Sequence, residues 1–406
     1  MNITGNPLMH TEHIKNNMEV WLNKILLLGV FFVLAGLVLL PKTSNYHTLY
    51  YISILAPVIF LSAIRPKLII ENVSIIAKIF IIFAAWSALS VLWSDTQESI
   101  LTPIKRAIYI LCLFMSFSII NTRNTEAILK VFIFAGTIVT TISAYNLYFF
   151  QIAHQTDARF IGGGALSNPL LSSHIFGLFS VLFLTLSLIT KAIKIKLAYF
   201  TIGLVLILIV VATGSRTPLL ALVATAIWIA FILKNKKSIA IIAFSTVVLG
   251  LILLLYPEAI LSRGLSYRPE LWSVAMENIL SRPILGYGFD SNAGFYISSL
   301  DTVFREPHNI HLSILYFTGT VGFTLWCAMH MYALWVCWKN KTNTLFIIAS
   351  ALLVYGIVAG MTEGGGLLPR PKEHWFITWI PLAFVSALLT HKKASAKIKE
   401  AADQHI

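Results

Sequence analysis

RGLSYRPELW (Arg263–Trp272), SRPILGYGF (Ser281–Phe289) and FREPHNIHLSILYFTG (Phe304–Gly319) fall within residues 256–322, the one long stretch of this chain that does not read as membrane. It carries Arg263, Arg268, Arg282 and Arg305, with His308 and His311 close behind. On both sides the sequence is almost unbroken apolar residues. The apolar runs therefore hold this stretch, with other short loops, against one face of a membrane.

Working outward, composition agrees. Of the 406 residues, 57% are hydrophobic and only 12% charged, against about 25% charged in a soluble domain. Too few polar residues are present to cover a water-facing surface, and the mean hydropathy of +0.81 says the same. At about 20 residues per crossing, roughly a dozen helices fit. The runs fall near 21–40, 48–64, 74–94, 105–120, 127–150, 171–190, 195–213, 217–233, 238–256, 309–338, 344–360 and 374–390. The first run, Trp21–Leu40, is long enough to span, so no cleavable signal peptide is expected. The expected fold is all-α: a polytopic membrane helix bundle of about twelve transmembrane helices, with a large outer loop between spans nine and ten that contains short helices. Spans one to nine occupy 1–256, the loop 257–306, spans ten to twelve 307–390, and a basic tail 391–406. Cys112, Cys327 and Cys337 all lie in apolar runs and read as packing residues, not as a disulfide or metal set.

The net charge of +13 would suit nucleic acid, but its distribution argues against that. With the N-terminus in the cytoplasm, 19 of the 30 Lys and Arg residues fall on the cytoplasmic side, 17 of them lysine. That satisfies the positive-inside rule with both termini cytoplasmic. The opposite face holds eight of the ten arginines: Arg106, Arg159, Arg216, Arg263, Arg268, Arg282, Arg305 and Arg370. Topology needs only charge, which lysine supplies. Arginine adds a planar fork that binds phosphate or carboxylate at two points and never deprotonates. An excess of outer-face arginine therefore points to a bound anion there; the competing reading places each arginine among lipid headgroups.

Three places could carry chemistry. Ser266–Trp272 looks like a helix start, with Pro269 and Glu270 suited to the first turn. Apolar residues at 271, 272, 275, 276, 279 and 280 describe one helical face, fit for a surface helix with Arg268 at its N-terminal end. Ser281–Phe289 is turn sequence; it lacks the Gly-Lys-Ser/Thr of a phosphate-cradling loop and reads as structural. At Glu306–Leu312, His308 stands where an apolar wall meets water and suits a general base. His311 sits three residues on; a metal-binding His pair would need more carboxylates than Asp301 and Glu306 supply, and an interfacial packing role is the plainer reading. Ala212–Leu220 breaks a helix at Gly214 and Pro218 and puts Arg216 at membrane depth, a costly place for an idle charge. Arg159, Arg282, Arg305, His311 and Arg370 are further candidates for contacts with substrate, two of them beside the Gly-rich loops 162–164 and 364–366. His174 reads as a buried polar contact. No metal site and no cofactor are expected.

These residues resemble a known family. Arg216-x-x-x-Leu220 is similar to the RxxxL motif of bacterial O-antigen ligases, and His308, followed by ten residues and then Gly319, to their HxxxxxxxxxxG motif. Arg268 matches their second essential arginine by its place in the large outer loop. The resemblance implies an inverting, metal-independent glycosyltransferase of the inner membrane, with its site facing the periplasm. The donor would be an O-antigen glycan on undecaprenyl diphosphate, and the acceptor a sugar hydroxyl of lipid A–core. His308 would take the acceptor proton, while Arg216 and Arg268 would bind the diphosphate. An O-antigen polymerase or a protein O-oligosaccharide ligase would share the donor and differ in acceptor. A transporter for an anionic lipid would want midplane charges and repeated halves, which this sequence lacks.

Overall fold

The structure, a computed structural model, describes residues 7–124, 126–153, 158–234, 240, 267–292 and 294–403. The expected ninth span (238–256) and Arg263 lie outside these, residue 240 excepted. The chain opens with α1 (Pro7–Leu39) and α2 (Thr43–Tyr50), which runs through a π turn, Tyr51–Leu55, into α3 (Ala56–Ile64). Then follow α4 (Pro66–Glu71), α5 (Ile75–Leu89), α6 (Leu101–Arg123), α7 (Ala127–Ala153), α8 (Pro169–Ile189), α9 (Ile193–Ala212) and α10 (Thr217–Leu233). The outer loop contributes α11 (Arg268–Ser281), β1 (Phe295–Ile297) and β2 (Thr302–Phe304). The chain closes with α12 (Ile310–Lys339), α13 (Thr344–Gly360), α14 (His374–Ile377) and α15 (Trp379–Asp403).

Among the described residues, eight helical runs are long and apolar enough to cross a bilayer, and Thr217–Leu233 and Thr344–Gly360 are shorter apolar helices. Both kinds of apolar environment occur. The α8 helix is buried on nearly every face, whereas α9, more apolar still, shows most of its surface outward. An apolar helix with an uncovered surface is one that meets lipid. Helices pack in pairs, α8 on α9, α10 on α13, α6 on α15, α1 on α7 and α5 on α12.

The loop departs from the all-α expectation. Phe295-Tyr296-Ile297 and Thr302-Val303-Phe304 pair antiparallel, Phe295 opposite Phe304 and Ile297 opposite Thr302. Aromatic and β-branched residues favour a pleated surface, and Phe295 and Ile297 point into the protein while Tyr296 points out. The expected surface helix is present as α11, but its apolar face divides. Leu271, Ala275 and Ile279 are buried against the protein, while Met276 and Leu280 stand exposed.

One packing feature fastens this loop to the bundle. The α12 helix is interrupted at Gly319, whose φ of 62° and ψ of −169° are non-helical. That region is essentially closed to residues with a side chain. The break frees the carbonyls before it, and each finds a donor from elsewhere. The Tyr316 oxygen accepts from the Tyr287 N–H at 2.9 Å, Phe317 from the Gly288 N–H at 2.8 Å, and Thr318 from the Trp86 indole at 2.9 Å. Beyond the break the Thr320 N–H donates to the Pro283 carbonyl at 2.8 Å. The SRPILGYGF turn thus fills the gap in the helix, which satisfies backbone groups that would otherwise be buried unpaired. Gly286, at φ 69°, allows the two backbones to touch.

Candidate active site

His308 lies just before α12, whose first turn is capped by the Asn309 side chain accepting from the N–H groups of His311 and Leu312 at 3.0 and 3.1 Å. His308 itself has φ 47°, the left-handed region that few residues with a side chain enter. Its ring meets Tyr267 and Phe304 edge-on, with centroids 6.2 and 5.7 Å away, and those two rings stack on each other at 4.6 Å. The Trp272 indole donates to the Pro307 carbonyl at 3.0 Å. The first turn of α11, which begins at Arg268, is therefore held against the segment carrying His308. Arg268 is half-buried, and its Nε has no hydrogen-bond partner among the described residues.

Glu306 faces the same place. Its Oε1 is 4.0 Å from His308 Nδ1. Burial pushes the Glu306 carboxyl above its ordinary range, His308 and Lys372 pull it back, and Glu363 adds to the rise. Glu363 is itself buried in the Gly-rich segment after α13 and accepts from His174 Nε2 of α8 at 3.3 Å. Burial alone would raise the Glu363 carboxyl; the hydrogen bond and charge of His174, aided by His374 and His308, outweigh it and hold the group below its ordinary range. Gly364 and Gly365 pack against Glu306 and His374.

Arg216 reaches this end of the bundle from another direction, as the residue preceding α10. The turn before it is braced rather than loose. Arg159 donates from Nε to the Thr213 carbonyl at 2.6 Å and from Nη2 to Ser215 Oγ at 3.0 Å. Ser215 Oγ in turn donates to the Pro169 carbonyl at the start of α8. The α8 helix also carries His174, so the Arg216 turn and the Glu363–Glu306–His308 cluster share one support.

The other candidates are placed as follows. Both His311 nitrogens are used inside the protein: Nδ1 accepts from the Trp326 indole at 3.1 Å, which leaves the proton on Nε2 to donate to the Ile357 carbonyl at 3.0 Å. His311 thus holds α12 to α13, in line with the packing role. Arg282 is exposed and stacks over the Tyr287 ring at 4.8 Å, which places it at the docked turn. Arg305 is exposed near Asp290, and Arg370 is exposed near His47 and Tyr109. Arg159 braces the Arg216 turn. Of the sequence candidates, the segments of Arg268 and His308 pack directly, and the Arg216 turn is tied to α8, the helix whose His174 bonds Glu363. Sequence reading missed Glu306 and Glu363 as partners of the histidines. Only their nearness to His308 and to the glycines signalled them.

Comparison with known proteins bears on this arrangement. A family model described as O-Antigen ligase matches residues 201–327. An O-antigen ligase of Pseudomonas aeruginosa is 36% identical over 377 residues, covering 92% of this chain and 92% of the relative. The chain belongs to the O-antigen ligase family. It is a membrane enzyme of that family. The segment matched by the O-antigen ligase model contains Arg216, Arg268, His308 and Gly319, hence both sequence motifs and the helix break that receives the outer turn.

Proposed function

We propose that this enzyme transfers an O-antigen glycan from undecaprenyl diphosphate to a sugar hydroxyl of lipid A–core in lipopolysaccharide assembly. It does so with inversion, at the periplasmic face of an inner-membrane bundle of twelve crossings with both termini in the cytoplasm. His308 removes the acceptor proton as the oxygen attacks the anomeric carbon. Arg216 and Arg268 bind the diphosphate and stabilise the charge that develops as it leaves. Diphosphate is already a good leaving group, so this route calls for no metal.

The observation that carries the reading is the junction of His308 with the first turn of α11. The Tyr267 ring lies against the imidazole and the Trp272 indole bonds to Pro307, which brings Arg268 to the same corner. A base and an anion-binding fork at one water-accessible edge suit attack on a lipid-linked diphosphate. The similarity to an O-antigen ligase of Pseudomonas aeruginosa supports the same reaction.

The test is transfer in vitro by the purified full-length protein, with undecaprenyl-diphosphate glycan and lipid A–core. His308→Ala should insert normally and lose about 10²–10⁴-fold in rate, the span of general-base contributions. Full activity in that variant would sink the base assignment. Added chelator should leave the rate unchanged; loss of activity would oppose the metal-free route. In a deletion strain, surviving lipopolysaccharide with a single repeat unit would indicate a polymerase instead.

A further inference from the structure

We propose that Glu306 is the positioning residue of His308: its carboxylate receives the Nδ1–H of the imidazole, aims Nε2 at the acceptor hydroxyl and holds the imidazolium that forms. This rests on His308 being the base.

The geometry is specific to this pair. His308 Nδ1 is a buried atom with no hydrogen-bond partner among the described residues. The Glu306 Oε1 lies 4.0 Å away, about 1 Å beyond hydrogen-bonding distance. Catalytic hydrogen bonds are often this long before substrate arrives and tighten in the complex. The residue between them is Pro307, whose ring fixes its φ and whose carbonyl is tied to Trp272. Tyr267 and Phe304 wall the imidazole, so the ring has little freedom apart from the edge that faces Glu306.

The carboxylate also has a built seat. A Cβ at Gly364 would fall 2.6 Å from Glu306 Oε1. Gly364 does not have a positive φ, so it is space and not backbone freedom that a side chain would remove. The charged and titratable groups facing Glu306 are His308 on its own segment, Lys372 and Glu363 from the segment after α13, and the Gly365 N–H. His174 and His374 lie behind Glu363.

The step balances without further reagents. The acceptor O–H bond breaks and its proton passes to His308 Nε2. The oxygen bonds to the anomeric carbon, and the bond from that carbon to the diphosphate oxygen breaks, with its electron pair leaving on the diphosphate. The Nδ1–H stays on the ring, bonded to Glu306. A carboxylate in this place selects the tautomer and stabilises the imidazolium without itself being protonated.

The experiment uses the full-length protein in nanodiscs with the same donor and acceptor. Glu306→Gln should lower kcat about 10–100-fold, with KM for both substrates within about twofold. Glu306→Asp, which keeps the carboxylate, should recover part of kcat. Gly364→Ala, which intrudes on the carboxylate's seat, should lower kcat with KM unchanged, and it carries the test if Glu306→Gln fails to insert. Wild-type kcat in Glu306→Gln, or in Gly364→Ala where that variant stands in, overturns the proposal if His308→Ala is inactive; the base assignment then survives. Wild-type activity in His308→Ala removes the base assignment and the role of Glu306 with it.

Discussion

Gly319→Ala tests the docking of the outer turn into the broken helix. A Cβ at 319 would lie 2.1 Å from the Ile284 carbonyl oxygen and 2.7 Å from the Gly286 nitrogen. Both are backbone atoms, so no side-chain rotation relieves the overlap. Holding alanine at φ 62° and ψ −169° costs about 1–3 kcal/mol by itself. Moving the turn away gives up the bonds from Tyr287, Gly288 and Thr320, at about 1 kcal/mol each. Together this is about 4–6 kcal/mol, enough to undock the turn while the helices beneath remain packed. The assay is limited proteolysis of the detergent-solubilised protein, followed as cleavage within residues 282–292, together with transfer activity. The variant should be cut there much faster than the parent and should lose transfer, since α11 and the His308 segment are linked through the same loop. Gly366→Ala is the control, because nothing lies within 4 Å of a Cβ at that position. Unchanged proteolysis and transfer in Gly319→Ala would falsify the docking argument.

Further outcomes follow from the same site. Lysine in place of Arg159 offers one ammonium where the guanidinium presents two spaced donors to the Thr213 carbonyl and Ser215 hydroxyl. Arg159→Lys should therefore raise the donor KM by about tenfold, the equivalent of one lost hydrogen bond, with normal insertion; an unchanged KM in both Arg159→Lys and Arg159→Ala would show that the brace does not matter. His174→Ala leaves the buried Glu363 charge without its partner and should cost about 3–5 kcal/mol, read as a lower Tm in detergent. The Glu363 carboxyl is held below its ordinary value of 4.5, so its share of stability is present above that value and lost as pH falls through the folded-state value. The Tm should drop on acidification below about 4.5, and Glu363→Gln should flatten that drop.

The elements of the fold were mostly legible because lipid imposes a simple rule on sequence. A run near 20 apolar residues is a crossing helix, and helices stand at the first eight and the last three expected positions. The strands of the outer loop were missed because Phe295–Ile297 and Thr302–Phe304 are three residues each, too short for alternation to register. The turn Ser281–Phe289 read as structural, but its partner was not legible. It inserts into α12, and the bonds that hold it join residues about 30 apart in sequence. Arg216 was legible as a candidate because a charge at membrane depth has a restricted set of uses, and His308 and Arg268 were singled out by the family resemblance. For Arg159 and His311 the structure adds bonds that sequence does not show: Arg159 braces the Thr213–Ser215 turn, and both His311 nitrogens bond within the protein.

From the sequence alone came the membrane and the motif residues. Each of these depends on how a residue partitions between water and lipid, a property of the residue and its near neighbours. The tertiary structure decided which group serves which. Glu306 meets His308 because a glycine nearly 60 positions later leaves room for its carboxylate, and Gly319 matters because a turn from outside the helix occupies its break. Hydropathy says which residues avoid water. It carries no information about which distant backbone will supply a missing hydrogen bond, and only the packed chain brings donor and acceptor together.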